Sequence, residues 1–170
     1  MDTADRTPPP QVADERETLA AYLDFHRATL EVKCTGLSDG QLRERPVPPS
    51  KLSLLGLVRH VTEVERGWFG NCVARRGLRP LYYSEPDNLD GDFDDLDDAP
   101  VAEVFAAWRA TCNESREIVA AADSLDDLGT RGDSSDVTLR WVVVHMIEEY
   151  ARHNGHADLL RERIDGATGE

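Results

Sequence analysis

Apolar residues return every three or four positions along four stretches of the chain, the period of a helix with one buried face. From Ala13 to Thr35 that face carries Leu19, Leu23, His26, Leu30 and Cys34, and Gly36 ends it. Ser38-Asp39-Gly40-Gln41 has the S-x-x-Q spacing of a capping box and predicts a short helical turn to Arg45. Pro46, Pro48 and Pro49 stop this turn, and Ser50 or Ser53 is placed to cap a second long helix. It runs to about Arg76 with Leu54, Leu57, Val61, Val64, Trp68 and Cys72 inward, and His60 stands at the edge of that face. Pro100 suits the first turn of a third helix, through Ala122, facing inward with Val104, Trp108, Thr111 or Cys112, Ser115 and Val119. The fourth starts at Thr138 as N-cap and reaches about Ile164, where Asp165-Gly166 ends it. Its stripe is Leu139, Val142, Met146, Tyr150, Ala157, Leu160 and Ile164.

No stretch alternates convincingly enough to predict a strand, so the expected fold is an all-α four-helix bundle. Long loops join helices two and three and helices three and four. One domain is expected over 12–166, behind a flexible proline-containing lead-in over 1–11. The loop over 78–99 is long enough to expect a role. From Glu85 to Asp98 it holds eight acids and no base. Asp90-Gly91-Asp92-Phe93-Asp94 suggests a calcium loop, but Asp95 occupies the place that needs glycine, so the expectation is a solvated acidic segment. Leu81-Tyr82-Tyr83, just before it, is placed to cover the mouth of a bundle site. Residues 124–137 read as a polar loop.

Composition narrows the partners. Net charge is −14, from 33 acids against 19 bases, which disfavours nucleic acid and anionic membrane surfaces. No apolar run is long enough to span a bilayer and no signal peptide is evident, so a cytoplasmic protein is expected. Cys34, Cys72 and Cys112 are far apart and odd in number, as expected of buried, reduced thiols and not of a disulfide frame. A homodimer is the assembly left open.

Chemistry is concentrated in Val144–His156. At 100° per residue, His145, Glu149 and His153 follow one another at i, i+4 and i+8, and His156 falls about 20° from Glu149. Four donors thus share a face bordering the apolar stripe. Unpaired, such groups cost several kcal/mol to bury, and a divalent ion would satisfy them. Glu149 and His153 can grip one ion across a helical turn, with His60 from a facing helix as the third donor. His26, on an inner stripe, reads as a hydrogen-bonded core histidine or a partner of a ligand before a ligand itself.

The segments Leu54–Glu65 and Arg140–Arg161 resemble the DinB/YfiT-like superfamily of metal-binding four-helix bundles. Within it, the chain is most similar to an actinobacterial branch related to mycothiol-dependent enzymes. That motif has a histidine on helix two and a pair four apart on the last helix, followed by a short turn that His153-Asn154-Gly155-His156 matches. The first of the pair is often histidine; here it is Glu149, which resembles the His, Glu, His site of mycothiol-dependent maleylpyruvate isomerase. The resemblance implies His60, Glu149 and His153 as ligands of zinc or nickel, with His145, Glu148, Arg152 and His156 facing substrate or supporting ligands. It also implies a co-substrate, mycothiol or another small thiol, activated by the metal to attack an electrophile as in an S-transferase or isomerase. A hydrolase using metal-activated water and a bundle that binds a metal or small molecule without catalysis are the alternatives.

Overall fold

The computed structural model describes residues 6–169. Helix α1 spans Glu15–Cys34, α2 Asp39–Arg43, α3 Leu54–Glu65, α4 Gly91–Asp94, α5 Val101–Ala121 and α6 Leu139–Asp165. The four long helices α1, α3, α5 and α6 form the all-α bundle expected from the periodicity. Among the described residues, no helix is long and apolar enough to cross a membrane.

The helix ends follow local chemistry. Asp14, Ser38, Ser53 and Thr138 each cap with a side-chain oxygen that accepts a free backbone N–H, and Ser38 with Gln41 completes the reciprocal capping box. Gly166 closes α6 at φ 77°, a left-handed conformation that favours glycine, and its N–H bonds the Glu162 carbonyl.

The core contains Leu23 and Leu30 from α1, Leu54, Leu57, Val58 and Val61 from α3, Val104 and Trp108 from α5, and Leu139, Val142, Met146, Tyr150 and Leu160 from α6. At its centre, one polar residue from each long helix joins a buried network. Arg27 Nε and Nη2 donate to Glu65 Oε1 and Oε2, both at 2.8 Å. The Tyr150 hydroxyl donates to Glu65 Oε1 at 3.0 Å, and Trp108 Nε1 donates to the Tyr150 oxygen at 2.9 Å. Glu65 is fully buried, so this bidentate pairing keeps its charge from being stranded in the core.

Three features depart from the sequence expectation. First, the second long helix does not stay α-helical: from Arg66 to Val73 it widens into a π-helix, and the Ala74 N–H bonds the Phe69 carbonyl five residues back. Within this segment Trp68 is half-buried and packs against the edge of the core. Second, residues 124–137 are not wholly loop. Strands β1 (Leu128–Thr130) and β2 (Asp136–Thr138) pair antiparallel, with Gly129 opposite Val137, and lead directly into α6. Three-residue strands are too short for alternation to reveal them.

Third, the acidic loop is docked, not simply solvated. Glu63 Oε1 accepts the backbone N–H groups of Leu81 and Tyr82 at 2.5 and 2.6 Å. Arg43 donates to the carbonyls of Leu96 and Ala99, Arg45 to that of Phe93, and Arg59 to that of Asp95. Four of the loop's backbone carbonyls, which its carboxylate-rich sequence does not advertise, thus help to tie it down, beside the Lys51–Asp94 ion pair at 2.9 Å. Gly91 lies in such close quarters that a Cβ there would meet the Tyr82 carbonyl oxygen at 2.5 Å. Of the expected flexible lead-in, residues 1–5 lie outside the described residues. Residues 6–14 have no helix or strand, and Thr7, Pro8 and Pro10 border a cleft between α1 and α5.

Candidate metal centre

His60 on α3 and Glu149 and His153 on α6 come together as the sequence pattern anticipates. One donor atom from each lies within 4.8 Å of the other two. His153 Nε2 is 3.4 Å from Glu149 Oε2, and His60 Nε2 is 4.0 Å from the same oxygen. A tetrahedral ion with bonds of about 2.0–2.1 Å would set its donors roughly 3.4 Å apart. The first separation matches that edge and the second exceeds it slightly. Two imidazole nitrogens and a carboxylate oxygen are also the donor types that suit zinc or nickel.

The outer atoms of these side chains are held in turn. His60 Nδ1 lies 2.8 Å from Asp92 Oδ2, and its ring stacks on Phe93 with centroids 4.9 Å apart. With Nδ1–H donating to the carboxylate, the lone pair of Nε2 is left facing Glu149. Asp92 is only 5% exposed and comes from the docked acidic loop. It is the site residue that periodicity missed. A signal was present: Phe93 and Leu96 are apolar residues inside an acidic run, and such residues anchor a loop to the body of the protein. The Asp92–Phe93 pair reaches His60, whereas Tyr82 packs over the Arg59 guanidinium, 4.6 Å from its ring centroid.

His153 is 8% exposed. Burial, reinforced by repulsion from His60, His156 and Arg152, pushes its pKa down to about 3, so the ring is neutral at neutral pH and its one unprotonated nitrogen has a free lone pair. Its Nδ1 meets His156 Nδ1 at 3.3 Å. Glu149 Oε1 points away from the triad, to His145 Nε2 at 3.8 Å and Arg152 Nη1 at 3.9 Å. His145 Nδ1 is 3.7 Å from Glu148, which also pairs with Arg152 at the exposed rim. His145, Glu148 and Glu149 make a second convergent group that shares Glu149 with the triad. His26 stands apart: Asn154 Nδ2 donates to its carbonyl at 3.0 Å, and burial lowers its pKa.

No protein thiol joins the group as a ready nucleophile. All three cysteines are free and buried. Burial pushes the Cys34 and Cys112 thiols up to about 12 and raises Cys72 as well, so all three are protonated near neutral pH. The cleft between α1 and α5 offers no free cationic pocket either, because Arg27, Arg109 and Arg116 are paired with Glu65, Glu31 and Asp24.

Residues 18–166 match a family model described as mycothiol-S-transferase. No curated protein matches the chain. A solved structure from Enterococcus faecalis, described as a conserved protein of its locus, superposes with a TM-score of 0.68 at 15% identity, covering 92% of this chain and 100% of that one. At that identity, the likeness speaks for the fold.

Proposed function

Because the chain belongs to the mycothiol-S-transferase family, we propose that it is a metal-dependent thiol transferase in which His60, Glu149 and His153 hold a divalent ion, zinc or nickel. Mycothiol, or a related small thiol, supplies the sulfur. The observation that carries the reading is the convergence of three donor atoms from two helices within 4.8 Å. Three protein donors, leaving a coordination position for an exogenous ligand, are the pattern of catalytic zinc.

An ion held by His60, Glu149 and His153 would supply Lewis acidity, which would lower the pKa of an external thiol toward neutral pH. The protein's part is orientation and charge. Glu149 sets one negative charge against the dication, Asp92 fixes the His60 tautomer, and His156 steadies the His153 ring from its far side. Glu148 and Arg152 provide an acceptor and a donor at the exposed edge for the rest of the reactants. In the transfer, the thiol proton passes to solvent. The sulfur forms a bond to an electrophilic carbon, and the displaced group leaves with its bonding pair. The buried, protonated cysteines support this reading, since the nucleophilic sulfur then has to come from outside.

Cobalt-substituted protein tests it. Adding mycothiol at pH 7 is expected to produce a sulfur-to-metal charge-transfer band, which His60→Ala protein lacks. With cobalt bound and thiol in excess, the absence of a band would replace this reading with metal-activated water or with binding without catalysis.

A further inference from the structure

Three aromatic rings meet at the end of α6 nearest the hairpin, beside the candidate metal ligands. Trp141 and His145 stack with centroids 4.9 Å apart and planes at 16°. Trp68 closes on both, 5.1 Å from Trp141 and 4.8 Å from His145. The Arg131 guanidinium lies over Trp68, 5.6 Å from its ring centroid. The cluster is not a piece of core: Trp141 is 43% exposed, and His145 and Trp68 are half-buried. Among the described residues, neither of these indoles donates to a protein acceptor, whereas the buried Trp108 does.

Placement gives the cluster a meaning. Trp141, His145, Glu149 and His153 succeed one another at four-residue steps along α6, each turned about 40° from the last. At 1.5 Å per residue, His145 stands about 6 Å and Trp141 about 12 Å from Glu149 along the helix axis. A ligand with one end beside Glu149 would therefore lay its remainder along this shelf. The π-helical segment contributes the second indole, Trp68. Beside the shelf, Glu148 offers carboxylate oxygens and Arg152 guanidinium N–H groups.

We propose that Trp68, Trp141 and His145 form the subsite for the sugar and polyol rings of the thiol co-substrate. The proposal rests on the reading above that a small thiol binds beside Glu149. A saturated polyhydroxylated ring has an apolar C–H face, and an indole presents a broad, electron-rich face to receive it. The ring's edge hydroxyls need acceptors and donors, and the Glu148–Arg152 pair supplies both kinds. Mycothiol has this chemistry: a cysteinyl group followed in line by an amino sugar and a cyclic polyol. A thiol without the rings reaches the metal ligands but leaves the shelf uncovered.

Calorimetric titration of zinc-loaded full-length protein separates the possibilities. Wild-type protein is expected to bind mycothiol about tenfold or more tightly than N-acetylcysteine, the gain of a stacked ring. Trp141→Ala changes an exposed position, so it is expected to keep the wild-type circular dichroism and metal content. It should lose about tenfold in mycothiol affinity while binding N-acetylcysteine unchanged. Trp68→Leu should behave likewise, and mycothiol should alter the tryptophan fluorescence of wild type more than N-acetylcysteine does. Equal mycothiol binding by wild type and both variants would overturn the shelf and leave the thiol-transferase reading in place. Failure of both thiols to bind zinc-loaded wild type would overturn both readings.

Discussion

Glu149 divides its two carboxylate oxygens between two sets of partners. Oε2 faces His60 and His153, and Oε1 faces His145 and Arg152. His145 and His153 therefore flank the same glutamate, one helical turn to either side, but only His153 shares an oxygen with His60. That difference makes a sharp expectation about single residues. His153→Ala should remove metal binding, whereas His145→Ala should keep metal content near wild type, as elemental analysis of untagged protein will show. The opposite result would mean that the ion sits in the His145, Glu148, Glu149 group. Glu149 and His153 were legible in the sequence because the i, i+4 step on a long, well-capped helix fixes their common face. His60 was legible as the edge of an apolar stripe and, on a facing helix, as the natural third donor, a pairing the family resemblance then reinforced.

At the scale of elements, the docked acidic loop and α3 act as one unit through Asp92. A carboxylate behind a metal-bound imidazole typically changes metal affinity by about 10–100-fold. Asp92→Asn should accordingly weaken zinc affinity by about tenfold or more while leaving the far-ultraviolet circular dichroism unchanged, as competition with a chromophoric chelator can measure. The sequence concealed this loop because runs of acids are ordinarily solvated, and because several of its anchors are backbone carbonyls; only Phe93 and Leu96 marked it as docked. It concealed the π-helical segment for a related reason. Leu54, Leu57, Val61, Val64, Trp68 and Cys72 keep helical spacing throughout, and the widened turn shows only in which carbonyl each N–H selects. The four long helices, by contrast, were readable nearly to their ends, since caps and apolar stripes both lie in the residues themselves.

At the scale of the whole molecule, the Arg27–Glu65–Tyr150–Trp108 network ties all four long helices at a common point. Removing one member of a buried ion pair strands the other, at a typical cost of about 3–5 kcal/mol. Arg27→Met should lower stability by about that amount in urea denaturation, and Arg27→Met/Glu65→Leu should recover a substantial part of the loss. Metal should act on stability from the opposite direction. Zinc at a hundred times its dissociation constant should stabilise the fold by about 2.7 kcal/mol, and a chelator should reverse the resulting rise in melting temperature.

His60 and the Glu149–His153 pair lie in opposite halves of the chain and meet only when α3 and α6 are packed. An ion shared between them is, in polymer language, a reversible knot: it closes a long loop much as a disulfide does, but it unties when the ion is taken away. With zinc as the proposed ion, a cell that draws down its free zinc would loosen the bundle and, with it, the proposed transfer. Supply of one element would govern both how long each copy of the protein survives and how much work it does.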